Sequence, residues 1–204
     1  MSESPSINYF YTIEKESVAE FKDRNSSFHA FAFPIENKEQ FKLRLKQLKN
    51  EHPKAAHHCF AYRIGTDGNN FRSSDDGEPS GSAGRPILGQ IDSHDLTNIA
   101  VIVVRYFGGT LLGVPGLINA YKTSTSFALQ LNPFSKKPIL VNYRLQFDYT
   151  FMNEVMIIVK KHYCQVFKQE MQLFCLMDIG IPKDSLEIVL SKLKNIHKVE
   201  VESC

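Results

Sequence analysis

The chain has 204 residues, 43% of them apolar and 23% charged, and a net charge of +2. Those values fit a soluble globular protein of one large domain or two small ones. A dedicated nucleic-acid binder is usually more basic, so charge alone points to no partner. Cys59, Cys164, Cys175 and Cys204 show no C-x-x-C spacing, and the start MSESPSINYF lacks the pattern of a signal peptide. No apolar run approaches the ~18 residues that span a bilayer. A cytoplasmic protein with free thiols and no membrane partner is expected.

Residues 1–26 are polar and weakly patterned. From Ser27 to Ile35 the chain alternates, with Phe28, Ala30 and Ala32 against His29, Phe31 and Phe33, and predicts a strand. Asn37 is a good N-cap for an amphipathic helix carrying Phe41, Leu45 and Leu48 and ending near Asn50. Its other face holds Lys38, Lys42, Arg44, Lys46 and Lys49, either a solvated face or a row that meets phosphates. Lys42, Lys46 and Lys49 are the candidates for a nucleic-acid surface.

Ala56 to Ile64 predicts a second strand, with His57 and Cys59 on one face and His58, Phe60 and Tyr62 on the other. His57 and Cys59 supply two metal ligands at most, whereas structural zinc wants four. Thr66 to Asn70 reads as a hairpin turn and Ala83 to Gln90 as a short helix, with Pro86 in its first turn. Between them lies an acidic loop: Asp75, Asp76, Gly77, Glu78, Pro79, Ser80 and Gly81 occupy seven successive positions that neither helix nor strand tolerates. Ile99 to Val104 has no polar break and suits a strand buried on both faces. Arg105-Tyr106-Phe107 ends it, Gly108-Gly109 breaks it, and Val114-Pro115-Gly116 leads into a helix over 116–131.

Two prolines and two lysines in 132–138 mark a boundary. It divides an N-terminal domain at 1–132 and a linker at 133–138 from a C-terminal domain at 139–204. The last domain has equal numbers of basic and acidic residues. Its pattern is strand, helix, strand, strand, helix, strand, which is ferredoxin-like. The fold class is α+β.

Three chemistries are open to Asp75, Asp76 and Glu78. Clustered carboxylates hold a metal for phosphoryl chemistry. Alternatively Ser73, Ser80, Ser82 and the glycine amides cradle an anion, helped by Arg105, Tyr106, Gly108, Gly109, Gly113 and the helix start. Alternatively the acids and serines bond neighbouring amides and hold an irregular turn. No Ser/His/Asp order, Walker loop or H-E-x-x-H motif is present, and His94 reads as solvated. No catalytic residue, metal site or cofactor is assigned.

SSDDGEPSGSAGRPIL followed by VVRYFGGTLLGVPGLINAY resembles the signature of the YigZ/IMPACT family, as does AHHCFAYRIG upstream. The resemblance covers about residues 20–130, and the last third resembles bacterial members by pattern alone. It implies an N-terminal βαβ domain of a ribosomal-protein and elongation-factor domain-2 superfamily. It also implies a second domain similar to the last domain of elongation factor G. It further implies a translation-linked or ribosome- or RNA-associated role, with a translation-related protein as a further partner, by analogy with translational control by eukaryotic members. Leu111 stands where the family usually has Lys, Pro115 where it has Gly, and Asn119 where it often has Arg. The alternatives are a metal-dependent phosphohydrolase-type enzyme and a protein-interaction module.

Overall fold

The computed structural model describes residues 8–171 and 173–204. The chain divides into two compact units: Phe10–Lys137, and Pro138–Cys204 together with Asn8 and Tyr9.

The first unit is built on a five-stranded antiparallel sheet, order β2-β3-β6-β4-β5. Its strands are β2 (Ser17–Asp23), β3 (Ser26–Pro34), β4 (His57–Ile64), β5 (Asn70–Ser74) and β6 (Ile99–Tyr106). β6 lies between β3 and β4, and every residue from Ile99 to Arg105 is buried. A strand flanked on both edges and covered on both faces needs an unbroken apolar run, which is what 99–104 supplies. Because β3 and β4 both run antiparallel to β6, they are parallel to each other, joined by α1 (Lys38–Glu51) in a split βαβ unit.

Residue parity assigns the faces. Phe31, Phe33, Phe60, Tyr62 and Ile102 meet Phe41 and Leu48 of α1 on one face. Phe28, Ala30, Cys59, Ala61, Val101 and Val103 meet α2 (Gly84–Asp92) and α3 (Gly113–Gln130) on the other. The Asn37 side chain accepts the Gln40 amide, capping α1 as its sequence predicts.

Residues 8–26 are more regular than their composition suggests. They hold β1 (Tyr9–Thr12) and β2, an edge strand closed onto β3 by the two-residue turn Arg24-Asn25, with φ of 45° and 65°. Positive φ at both turn positions matches the twist of the flanking strands. Residues 133–138, expected as a linker, include β7 (Ser135–Pro138), which pairs with β1. Ser135, Lys136 and Lys137 all retain an amide, so Pro133 upstream and Pro138 at the strand's end do not prevent a short edge ladder.

The second unit holds β8 (Leu140–Phe147), α4 (Met152–Lys161), β9 (Gln165–Met171), β10 (Cys175–Pro182), α5 (Leu186–Lys194) and β11 (Glu200–Ser203). Its antiparallel sheet has the order β11-β8-β10-β9. Leu145, Phe147, Met177, Ile179 and Ile181 bury one face against Val155 and Val159 of α4 and Val189 and Leu193 of α5. The other face carries Arg144, bidentate on Asp178 at 2.7 and 3.0 Å.

Candidate functional site: a cleft between the acidic loop and the start of helix α3

The three acids of the loop go to three different partners. Asp75 Oδ1 accepts the amides of Ala83 and Gly84 at 3.0 and 2.8 Å, and Oδ2 accepts that of Gly81 at 2.8 Å. It therefore caps α2, whose own N-cap position is an alanine with no side chain to offer. Burial pushes the Asp75 carboxyl up, but the three amides and the Arg85 charge outweigh it and hold the group below its usual range. Gly84 lets this helix start approach β5, since a Cβ there would fall 2.7 Å from the Ser74 nitrogen.

Asp76, at φ +43°, accepts the His58 amide at 2.7 Å through Oδ2, and its Oδ1 lies 3.8 Å from Lys49 Nζ. Its carbonyl accepts from His57 Nδ1 at 2.8 Å. A carbonyl only accepts, so in the neutral ring Nε2 carries the lone pair.

Glu78 turns inward instead. Its Oε1 takes Arg105 Nη1 at 2.6 Å and the Tyr121 hydroxyl at 2.7 Å, with His57 Nε2 at 3.9 Å. Behind Tyr121, Cys59 Sγ lies 3.2 Å from the hydroxyl and 3.0 Å from the Asp75 carbonyl. Burial pushes both the Cys59 thiol and the Tyr121 phenol well above their ordinary values, so both stay protonated.

The acids therefore do not converge. Among the described residues no three His, Cys, Asp or Glu side chains stand together as a metal site. A phosphohydrolase centre built on Asp75, Asp76 and Glu78 does not fit this arrangement, because each carboxylate is already bound to protein donors. The turn-holding role is seen directly for Asp75, and also for Ser82, whose buried hydroxyl donates to the Pro79 carbonyl at 2.6 Å, whereas the Asp76 carboxylate reaches across to the β4 backbone at His58.

The inward Glu78 lines a cleft of about 440 Å³. His57, Glu78 and Arg105 supply its polar lining, while Phe107, Leu111, Leu112, Gly113, Val114 and Leu117 supply much of the rest. Of the residues singled out from sequence, the cleft brings together Glu78, Arg105 and Gly113. Ser73 lies on β5 and Ser80 in the exposed part of the loop, outside the lining. Tyr106 points to the opposite face of the sheet, where its hydroxyl meets His52 Nδ1 at 2.8 Å. Successive strand residues alternate faces, so Arg105 and Tyr106 could not share a site.

Gly108 and Gly109 also lie outside the cleft. Gly108 sits against the β2–β3 turn, where a Cβ would fall 2.1 Å from the Asn25 carbonyl carbon. Gly109 has φ +85° with open space around it. Sequence reasoning missed His57 and Tyr121 as parts of the site. A buried tyrosine on a helix that follows a glycine turn was the available signal, since a buried phenol needs a partner.

Lys42, Lys46 and Lys49 are all exposed on α1. This helix covers the sheet face opposite the one that Cys59 and Tyr121 occupy. The lysine row and the cleft are therefore not one continuous surface, and Lys49 reaches only the rim of the loop, at Asp76.

A profile of the Impact N-terminal domain matches residues 24–129. An IMPACT family member of Haemophilus influenzae is 33% identical over 186 residues, 90% of each chain. The Escherichia coli family member YigZ is 30% identical over 86% of this chain and 87% of its own. A crystal structure of a hypothetical protein superposes with a TM-score of 0.76 at 27% identity over 98% of both chains. The chain also matches the two-domain translational regulator Yih1 at 27% identity, over 64% of this chain and 50% of that one. Its TM-score of 0.36 lends the fold no support.

Proposed function

The chain belongs to the IMPACT family, and from that premise we propose that it is a cytoplasmic, translation-linked regulatory protein that associates with ribosomes or RNA without catalysing a reaction. Yih1, a sequence relative, is described as a translational regulator. The observation that carries the association is the row Lys42, Lys46, Lys49, at spacings of four and three along α1 with all three side chains exposed. Such a row meets phosphates, and each contact releases counterions. The loop acids offer it little repulsion, since Asp76 faces Lys49 and Glu78 is paired with Arg105. A translation-related protein is a further partner of the same role.

The structural names belong to this proposal too. The split βαβ unit of the first unit supports the ribosomal-protein and elongation-factor domain-2 superfamily, and the βαββαβ order of the second supports a ferredoxin-like fold.

Sedimentation with ribosomes tests the association. The wild-type chain is expected in the pellet at low salt and to leave it as salt rises. Changing Lys42, Lys46 and Lys49 to Glu is expected to abolish pelleting and flatten the salt dependence. A wild-type protein that stays in the supernatant at low salt, or a mutant that pellets equally well, removes the nucleic-acid reading and leaves a protein-interaction module.

A further inference from the structure

The cleft has features that the lysine row does not use. Helix α3 begins at its edge. Gly113 takes φ +71°, and Leu112 before it provides no side-chain cap. The Gly113 and Val114 amides thus have neither a helical nor a capping partner, and the positive end of the helix dipole lies there. Independently of the helix, Arg105 lines the cleft while only 5% exposed. It gives one N–H to Glu78, and its Nε is buried with no hydrogen-bond partner. A buried donor left in that state is costly unless an acceptor reaches it.

Charge in the cleft is balanced. Glu78, the acid that would repel an anion, already has Arg105 and Tyr121 on Oε1. The walls are apolar, and Phe107, Leu111 and Val114 remain 50%, 82% and 45% exposed.

We propose that this cleft binds a small monoanionic carboxylate carried on an apolar body. The carboxylate accepts from the Gly113 and Val114 amides and from Arg105, and the body covers Phe107, Leu111 and Leu117. A dianion such as phosphate fits less well, because the Arg105 charge is already matched by Glu78 and a helix end offers only about half a unit of positive charge. Two sources carry this chemistry: a free small acid and the C-terminus of a peptide.

Titration followed in ¹H–¹⁵N correlation spectra tests the site, with N-acetyl-phenylalanine, its neutral amide, acetate and inorganic phosphate as probes at millimolar concentration. N-acetyl-phenylalanine is expected to move the Gly113 and Val114 amide signals and the Arg105 Nε–H signal. At the same concentration the neutral amide, acetate and phosphate are expected to leave them in place. Leu111→Glu, at an exposed rim position, is expected to weaken binding at least tenfold with unchanged thermal unfolding, and Leu111→Lys to tighten it. The free-acid tripeptide Ala-Ala-Phe separates the sources. Tighter binding than N-acetyl-phenylalanine assigns a chain terminus, weaker binding assigns a free acid, and both retain the carboxylate site. No shift with N-acetyl-phenylalanine, equal shifts with the amide or phosphate, or no effect of Leu111→Glu overturns the proposal. Ribosome sedimentation reads the lysines on the opposite sheet face, so either proposal can fail alone.

Discussion

Arg105 Nη1 lies 2.6 Å from Glu78 Oε1, joining the end of the central strand to the acidic loop through side chains that are 6% and 3% exposed. The guanidinium also stacks over Phe28 and Phe107, with centroids at 5.4 and 5.5 Å. At this burial each charge has lost its water, and the pair is sound only while both members are present. Removing Arg105 as Met leaves an uncompensated carboxylate and is expected to cost about 3–5 kcal/mol. Adding Glu78→Gln to that variant should recover a good part of the loss. Chemical denaturation of both single variants and the double measures the coupling, and simple additivity would count against a paired role.

Asp75 is the cap that α2 lacks in its own sequence. Replacing it with Ala removes three amide bonds and should cost about 1–2 kcal/mol by the usual cost of a lost cap. Asn, which keeps one acceptor oxygen, should cost less. Because the folded carboxyl titrates below its unfolded value, its contribution is present above about pH 4 and is lost as pH falls through the folded pKa. Since this carboxylate is already filled by amides, Mg²⁺ should not raise the melting temperature. A metal-dependent rise that Asp76→Asn abolishes would reverse that expectation.

Histidines beneath α1 set a second pH dependence. His58 is 7% exposed, and burial, followed by the Lys49 charge, lowers its pKa. His29 is lowered by burial too, only partly countered by Glu20. With folded values below the unfolded ~6.5, the unfolded chain binds more protons between the two. This stability is therefore full above about pH 6.5 and declines as pH falls toward the folded values. Urea midpoints measured from neutral to mildly acidic pH should drop, and His58→Gln should flatten the drop. A wild-type midpoint that stays level across that range would contradict the burial argument.

The paired glycines after β6 should behave differently. At Gly108 an alanine methyl would collide with the Asn25 backbone, and backbone cannot swing aside like a flexible side chain. Gly109 faces open space, so alanine there meets only the strain of φ +85°. Gly109→Ala should cost about 1 kcal/mol and Gly108→Ala clearly more, by several-fold. Thermal unfolding of both variants ranks them, and equal losses would mean that the turn yields.

Periodicity and turn chemistry made much of the fold legible in the chain itself. The apolar run at 99–104 implied a doubly covered strand, Asn37 marked the α1 start, and residues 139–204 spelled out a βαββαβ order. The motifs around Asp75 and Arg105 likewise carried the family. These signals are local, and local dihedral preference and apolar spacing are what a sequence states directly.

Partnership was decided only by the tertiary structure. β2 alternates weakly, and its faces acquire meaning only when it lies against β3. Three acids within four positions looked equivalent, yet Asp75 caps a helix, Asp76 pins β4 and Glu78 is buried with Arg105 and Tyr121, 27 and 43 residues away. Arg105 and Tyr106, adjacent in the chain, part to opposite faces of the sheet. A side chain's charge is written in the sequence, but what compensates it depends on which distant donors the folded backbone brings within about 3 Å.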